Sequence, residues 1–182
     1  MSKFWSSERI VSLSAMSISL LTLIVFIYQT NLIRKQQYMS VYPHLMIGNG
    51  GTGTLDYIYV LSNEGIGPAL LSSIEVEGPD GQKFSTLYDY LDTQLTEEDS
   101  VWIHNTDIYP GMLIPAGEQL ILFGLWNEKQ SKSLGLPPNT LRGSQKLWKA
   151  LNHDDLNIKI TYKSIYQESW YITNNSVAPV LE

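Results

Sequence analysis

The chain has 182 residues, 12 Lys or Arg against 18 Asp or Glu for a net charge of −6, and no cysteine. The missing thiols exclude cysteine nucleophiles and disulfides. The acidic balance argues against nucleic acid as a partner, because no basic stripe is there to release counterions from a phosphate backbone.

The first element is the run Ile10 to Ile33, which holds no charged residue and centres on Ile18 to Ile27. At about 1.5 Å per residue such a helix crosses a hydrocarbon core of about 30 Å, so a single-pass transmembrane helix is expected. A removable signal peptide has an apolar stretch of about 7–15 residues and a small-residue cleavage site. Here the stretch is longer and Tyr28-Gln29-Thr30-Asn31-Leu32 offers no A-x-A pattern, so the expectation is an uncleaved signal-anchor in contact with membrane lipid. Phe4, Trp5 and Tyr28 fall where amphipathic rings favour the headgroup layers.

Lys3 and Arg9 flank one end of the run and the juxtamembrane basic pair Arg34 and Lys35 the other, so the positive-inside count is tied. A free amino terminus tips it toward an extracytoplasmic, periplasmic domain, with the cytoplasmic side left open. Ser12, Ala15, Ser19 and Thr22 recur at helical spacing on one face. Two readings of this stripe weigh equally: a packing seam for a partner's transmembrane helix or a second copy, or hydroxyls that bond back to their own backbone. The pattern runs on to about Met39, and Pro43 disfavours helix at Tyr42. Residues 1–42 are therefore read as tail, transmembrane helix and juxtamembrane extension.

Residues 43–182 have the modal size of one domain. They carry 8 Lys or Arg against 17 Asp or Glu, a net of −9, whereas residues 1–42 carry 4 against 1, a net of +3. Strands are predicted over His44–Ile47, Leu55–Ser62, Leu70–Glu77, Lys83–Thr86, Val101–His104 and Gln119–Leu125. Leu156 to Lys163 alternates apolar and polar without a fault, the period-two signature of a half-buried antiparallel strand, and Ser169–Thr173 returns from it. Two short helices are predicted, Thr86–Leu95 and Ser144–Leu151, the second with Leu147, Trp148 and Leu151 on one face and Lys146 and Lys149 turned away. Short strands parted by Gly and Pro turns predict an antiparallel, immunoglobulin-like β-sandwich with one or two inserted helices.

No reaction is named by any motif. Gly48-Asn49-Gly50-Gly51-Thr52-Gly53 fits G-x-G-x-x-G in form, but a strand pattern follows where a dinucleotide site needs a helix, so it reads as a loop between strands. His44, His104 and His153 lie far apart without a second ligand at metal spacing, and Asp154 and Asp155 beside His153 read as a solvated loop. Glu97-Glu98-Asp99 reads as a solvated acidic turn. No serine lies in G-x-S-x-G. Neither a catalytic residue nor a metal or other cofactor is therefore expected. Trp148 and Trp170 sit on apolar faces and are expected in the core, while Trp102 and Trp126 are candidates for ligand or partner contact.

Three stretches carry a resemblance: Tyr28-Gln29 through Arg34-Lys35-Gln36-Gln37 to Tyr42-Pro43; Asn63-Glu64-Gly65-Ile66-Gly67-Pro68-Ala69; and Ile160 through Tyr166, ending in Trp170. In these the chain resembles uncharacterised bacterial membrane-anchored proteins with a small β-domain. The resemblance implies an anchor and a β-domain in a bacterium and lends no catalytic residue. The similar proteins often have Gly where Gln167 stands, which implies a different turn here. The function expected is a non-enzymatic, single-pass membrane protein whose domain docks a partner, as an accessory subunit of a membrane assembly. The alternative is a membrane-anchored domain that captures glycan or peptide through exposed aromatics.

Overall fold

The computed structural model describes residues 7–96, 99 and 101–182. Lys3, Phe4, Trp5, Glu97 and Glu98 lie outside the described residues. The chain divides into a helical unit ending at Ser40 and a compact domain from Val41 to Glu182.

The helical unit is α1, Ser7–Met39, one unbroken helix with no buried residue. It is helical from the first described residue and ends where the pattern predicts. Five of its hydroxyls, those of Ser14, Ser17, Ser19, Thr22 and Thr30, turn back on their own backbone: Ser19 Oγ donates to the Ala15 carbonyl at 2.9 Å and Thr22 Oγ1 to Ile18 at 2.8 Å. Such bonds let Ser and Thr sit in an apolar helix without an exposed donor.

The domain is mainly β, built from β1 (Leu45–Gly50), β2 (Ile58–Asn63), β3 (Ala69–Glu77), β4 (Lys83–Phe84), β5 (Ile103–Asn105), β6 (Leu113–Ile114), β7 (Gln119–Leu125), β8 (Asn157–Lys163), β9 (Ser169–Thr173) and β10 (Val180–Leu181). One sheet has the order β1-β2-β7-β5; the other runs β10-β9-β8-β3-β4, with β6 also on β3. Every pairing among the described residues is antiparallel. The alternating strand β8 delivers Ile158, Ile160 and Tyr162 into a buried cluster with Leu71 of β3 and with Leu45, Leu61 and Leu122 of the other sheet. One face is therefore apolar and inward, as its period of two requires.

Three short helices complete the domain. In α2, Leu87–Gln94, Thr86 and Asp89 form a reciprocal capping box, each bond 3.0 Å long. The second predicted helix is α4, Leu141–Leu151, and it starts three residues early because Thr140 caps it by accepting from the Gly143 N–H. Between them lies α3, Glu128–Ser133, which has no apolar stripe and was not expected. It rests on Asn127 and Gln130, whose side chains each accept from the other's backbone N–H at 2.9 Å. The two-residue strands β6 and β10 were likewise not expected.

Two expectations need correction. The Gly48–Gly53 run is a loop only in its second half: Gly48, Asn49 and Gly50 belong to β1, opposite Val60, Tyr59 and Ile58. A Cβ on Gly50 would lie 2.8 Å from Ile58 Cγ1, so glycine serves close strand approach there. Trp148 and Trp170 are half-buried at the margin of the core rather than inside it. The fully buried large rings are Tyr57, Tyr59, Tyr90 and Tyr162.

Candidate functional site

The densest polar construction lies where the chain leaves the helical unit and enters the domain. Asn63, at the end of β2, is fully buried, and its side chain ties four segments together. Its Oδ1 accepts from the His44 and Gly65 N–H groups, both at 3.1 Å. Its Nδ2 donates to the carbonyls of Gly67 at 2.9 Å, Ile114 at 3.1 Å and Pro115 at 3.1 Å. Two protons serve three acceptors, so one bond is shared.

The β2–β3 loop then closes on the incoming chain. Ile66 and Gly67 N–H groups both donate to the Tyr42 carbonyl, at 3.0 and 3.2 Å, and Glu64 N–H donates to His44 at 2.8 Å. A Cβ on Gly67 would collide with the backbone of Val41, and one on Gly65 with that of Tyr42 and His44. Both glycines therefore serve backbone contact.

From the other sheet, Tyr162 Oη accepts from Leu45 N–H at 3.3 Å and lies 3.5 Å from the Pro43 carbonyl, to which it donates. Burial pushes the ionisation of this phenol up, as it does for Tyr42. The Trp170 ring meets Tyr42 edge-on, with centroids 5.0 Å apart. The β8–β9 turn is closed by Ser164 and Glu168, and Gln167 within it has φ 67. The turn thus takes a glycine-type conformation even without glycine. Tyr42-Pro43, Asn63–Ala69 and Ile160–Trp170 meet at this one end. The sequence singles out Asn63–Ala69 only as a stretch and gives Asn63 and Tyr162 no role, the only signal being a lone amide at a strand end and a tyrosine on an apolar strand face; neither Gly65 nor Gly67 has a positive φ, and both are needed for close backbone contact instead.

The strands bring the two candidate tryptophans together at the far end of the domain. Trp126 N–H donates to the Trp102 carbonyl at 3.0 Å. Asn139 clamps both: its Oδ1 accepts from Trp102 N–H at 2.6 Å while its Nδ2 donates to the carbonyls of Trp102 and Trp126 at 3.0 and 2.9 Å. Both rings are half-buried, and Trp126 stands edge-on to His104 at 5.3 Å. Trp102 lines an open groove of about 690 Å³ with Tyr88, Leu91, Leu95, Ile103 and Pro137. Nearby, Lys146 is ion-paired with Asp99, whose carboxyl is held down at about 2 by that ammonium and by Thr96.

The remaining sequence candidates stand apart. Ser12, Ala15, Ser19 and Thr22, and beyond them Arg34 and Lys35, are all exposed on α1. His44 lies near Tyr42 and His104 near Trp126, while His153 is 3.9 Å from Asp155. Among the described residues no group of three or more His, Asp or Glu is placed to hold a metal. Comparison of the chain with protein-family models, with curated proteins and with solved structures finds no match in any of the three.

Proposed function

We propose that the chain is a single-pass membrane protein whose immunoglobulin-like sandwich domain is held at the membrane surface to dock a protein partner, as a non-enzymatic subunit of a larger assembly. The observation that carries this reading is the clamp around Tyr42–Leu45. The first residues of the domain are gripped by Asn63, Gly67 and Tyr162, so the domain is built as one body from Tyr42 onward, and a well-ordered body suits docking. The exposed, uncharged stretch of α1 supports the anchor, the resemblance supports a bacterial membrane, and the free amino terminus, added to the tied flanking charges, supports an extracytoplasmic domain.

The strand orders support the finer fold. Setting β1, β2, β7 and β5 in the places of A, B, E and D, and β3, β8 and β9 in those of C, F and G, gives the neighbours an immunoglobulin plan calls for, with β4, β6 and β10 additional to it, and this supports that reading.

Purification of the intact protein from its native membrane in mild detergent tests the proposal. The expected result is a membrane protein recovered in fixed proportion with this chain; a solitary, monodisperse chain overturns it. Glycan or peptide capture is favoured by one observation, the Asn139-clamped Trp102 and Trp126 pair beside an open groove. Under that reading Trp102→Ala and Trp126→Ala abolish binding on a glycan or peptide array while the melting temperature holds.

A further inference from the structure

We propose that two copies of the domain associate face to face through α2 and α4, each copy setting the acidic face of its α2 against the basic face of its partner's α4. This contact goes beyond the docking of another protein and does not depend on it.

Charge is segregated along the domain. Residues 87–100, which include α2, hold five acidic residues and no basic one, whereas residues 127–152, which include α3 and α4, hold five basic residues and only Glu128 against them. Those five are most of the 8 Lys or Arg in residues 43–182. The two oppositely charged connections are neighbours in space. Tyr90 of α2 donates its hydroxyl to the Ala150 carbonyl of α4 at 3.0 Å, and Lys146 of α4 is ion-paired with Asp99.

The same packing turns the remaining charges outward. Tyr90 and Leu91 of α2 and Leu147, Ala150 and Leu151 of α4 enter the buried core. Asp89 and Asp92, one turn apart, and Arg142 and Lys149, two turns apart, are left exposed on the other faces of their helices. Asp89 accepts the Thr86 N–H with one oxygen, and none of the four charges is in an ion pair among the described residues. Tyr88 and Leu141 stand exposed beside them, at 45% and 55%.

Self-complementarity supplies the occupant. A partner that satisfies this face must itself carry an anionic and a cationic patch side by side, and a second copy does so by construction. A two-fold rotation about an axis between the two helices brings Asp89 and Asp92 of one copy to the partner's Arg142 and Lys149, and the same pairs form again across the axis. A surface of one sign, such as nucleic acid or an anionic bilayer, is attracted by α4 and repelled by α2 at the same time. Two short helices make a small interface, so the association is reversible and weakens as salt screens its exposed charges.

The intact protein in mild detergent is tested by analytical ultracentrifugation at low and high salt, beside two charge-reversed forms, Asp92→Lys and the double variant Arg142→Glu with Lys149→Glu. Melting temperatures matched to the parent establish that the variants are folded. The expected result is a parent dimer whose dissociation constant rises about tenfold or more with salt, variants that each dimerise about tenfold or more weakly, and recovery when the two are mixed, because the mixed pair restores opposite charges across the axis. A parent that is monomeric at every salt concentration, a dimer that neither variant weakens, as one held by α1 would be, or weakened variants that do not recover on mixing overturns the proposal. The absence of native cysteine allows a measure independent of charge. Chains carrying Tyr88→Cys and Leu141→Cys are mixed and treated with a short bismaleimide, with Ile66→Cys at the junction end as the control partner. A mixed 88–141 product well above the 88–66 product is expected, and equal yields overturn the contact. A parent that is monomeric when pure, while position 141 is shielded from maleimide in native membranes, assigns the face to another protein and also overturns the proposal.

Discussion

The Tyr162 hydroxyl takes the Leu45 N–H at 3.3 Å and so joins a strand of one sheet to the first strand of the other. Tyr59, equally buried, has a hydroxyl with no partner among the described residues. The pair separates two effects of the same atom. Tyr162→Phe leaves a buried N–H unsatisfied and is expected to cost about 1–3 kcal/mol. Tyr59→Phe removes an unsatisfied hydroxyl from an apolar site and is expected to be neutral or to stabilise by up to about 1 kcal/mol. Urea unfolding of the two variants at constant m-value reads the difference; equal losses would show that Tyr162 acts through packing alone.

Asn63 is a stricter case, because its roles as donor and acceptor are both used. Asn63→Asp keeps size and the two accepted N–H bonds but offers no proton to Gly67, Ile114 and Pro115, and it buries a charge among carbonyls. A loss of about 3 kcal/mol or more is expected near neutral pH, partly recovered as the carboxyl protonates in mild acid. Gly67→Ala is expected to be comparably damaging for a different reason, since its Cβ meets the Val41 backbone. Thermal melting across pH distinguishes them: the Asp variant improves on acidification and the Ala variant does not.

These residues also show what a sequence conveys. Strand β8 was legible because Leu156 to Lys163 alternates, and α1 because a long uncharged run has few other uses. Short strands such as β6 lack a period, and α3, with the sequence EKQSKS, has no apolar stripe at all. It exists because Asn127 and Gln130 satisfy its first turn. The clamp was legible only as the Gly- and Pro-containing stretch Asn63–Ala69, not as a set of contacts. That Asn63 reaches His44 in one direction and Ile114 in the other depends on contacts 19 and 51 residues apart, which no local pattern encodes. Trp148 and Trp170 were placed too deep because strand and helix faces reveal direction but not depth, and the tyrosines filled the centre.

Acid should loosen the far end of the domain first. Lys146 and Thr96 hold the Asp99 carboxyl at about 2, below its ordinary value of 3.8. A depressed carboxyl contributes stability that is fully present above the unfolded value and is lost as pH falls through the folded one. The contribution of the pair should therefore be constant above about pH 4–5 and fade between about 4 and 2. Melting temperatures of the parent and Lys146→Met are expected to differ at neutral pH and to converge near pH 2; a gap that persists in acid would assign the effect to the lysine stem.

The β8–β9 turn allows stabilisation by a single change. Gln167 holds φ 67, the left-handed region that costs a residue with a Cβ about 1 kcal/mol or more. Glycine adopts it freely. Against this, glycine gains conformational entropy in the unfolded chain, about 0.4–1 kcal/mol in the opposite sense. The balance predicts that Gln167→Gly raises stability by a few tenths of a kcal/mol, with hydrogen exchange slowed at the Gln167 amide position that bonds Ser164. Gln167→Val, which adds β-branching to the same backbone, is expected to destabilise clearly. If calorimetry ranks Val with or above Gly, the turn relaxes out of the left-handed region in solution and the strain argument fails.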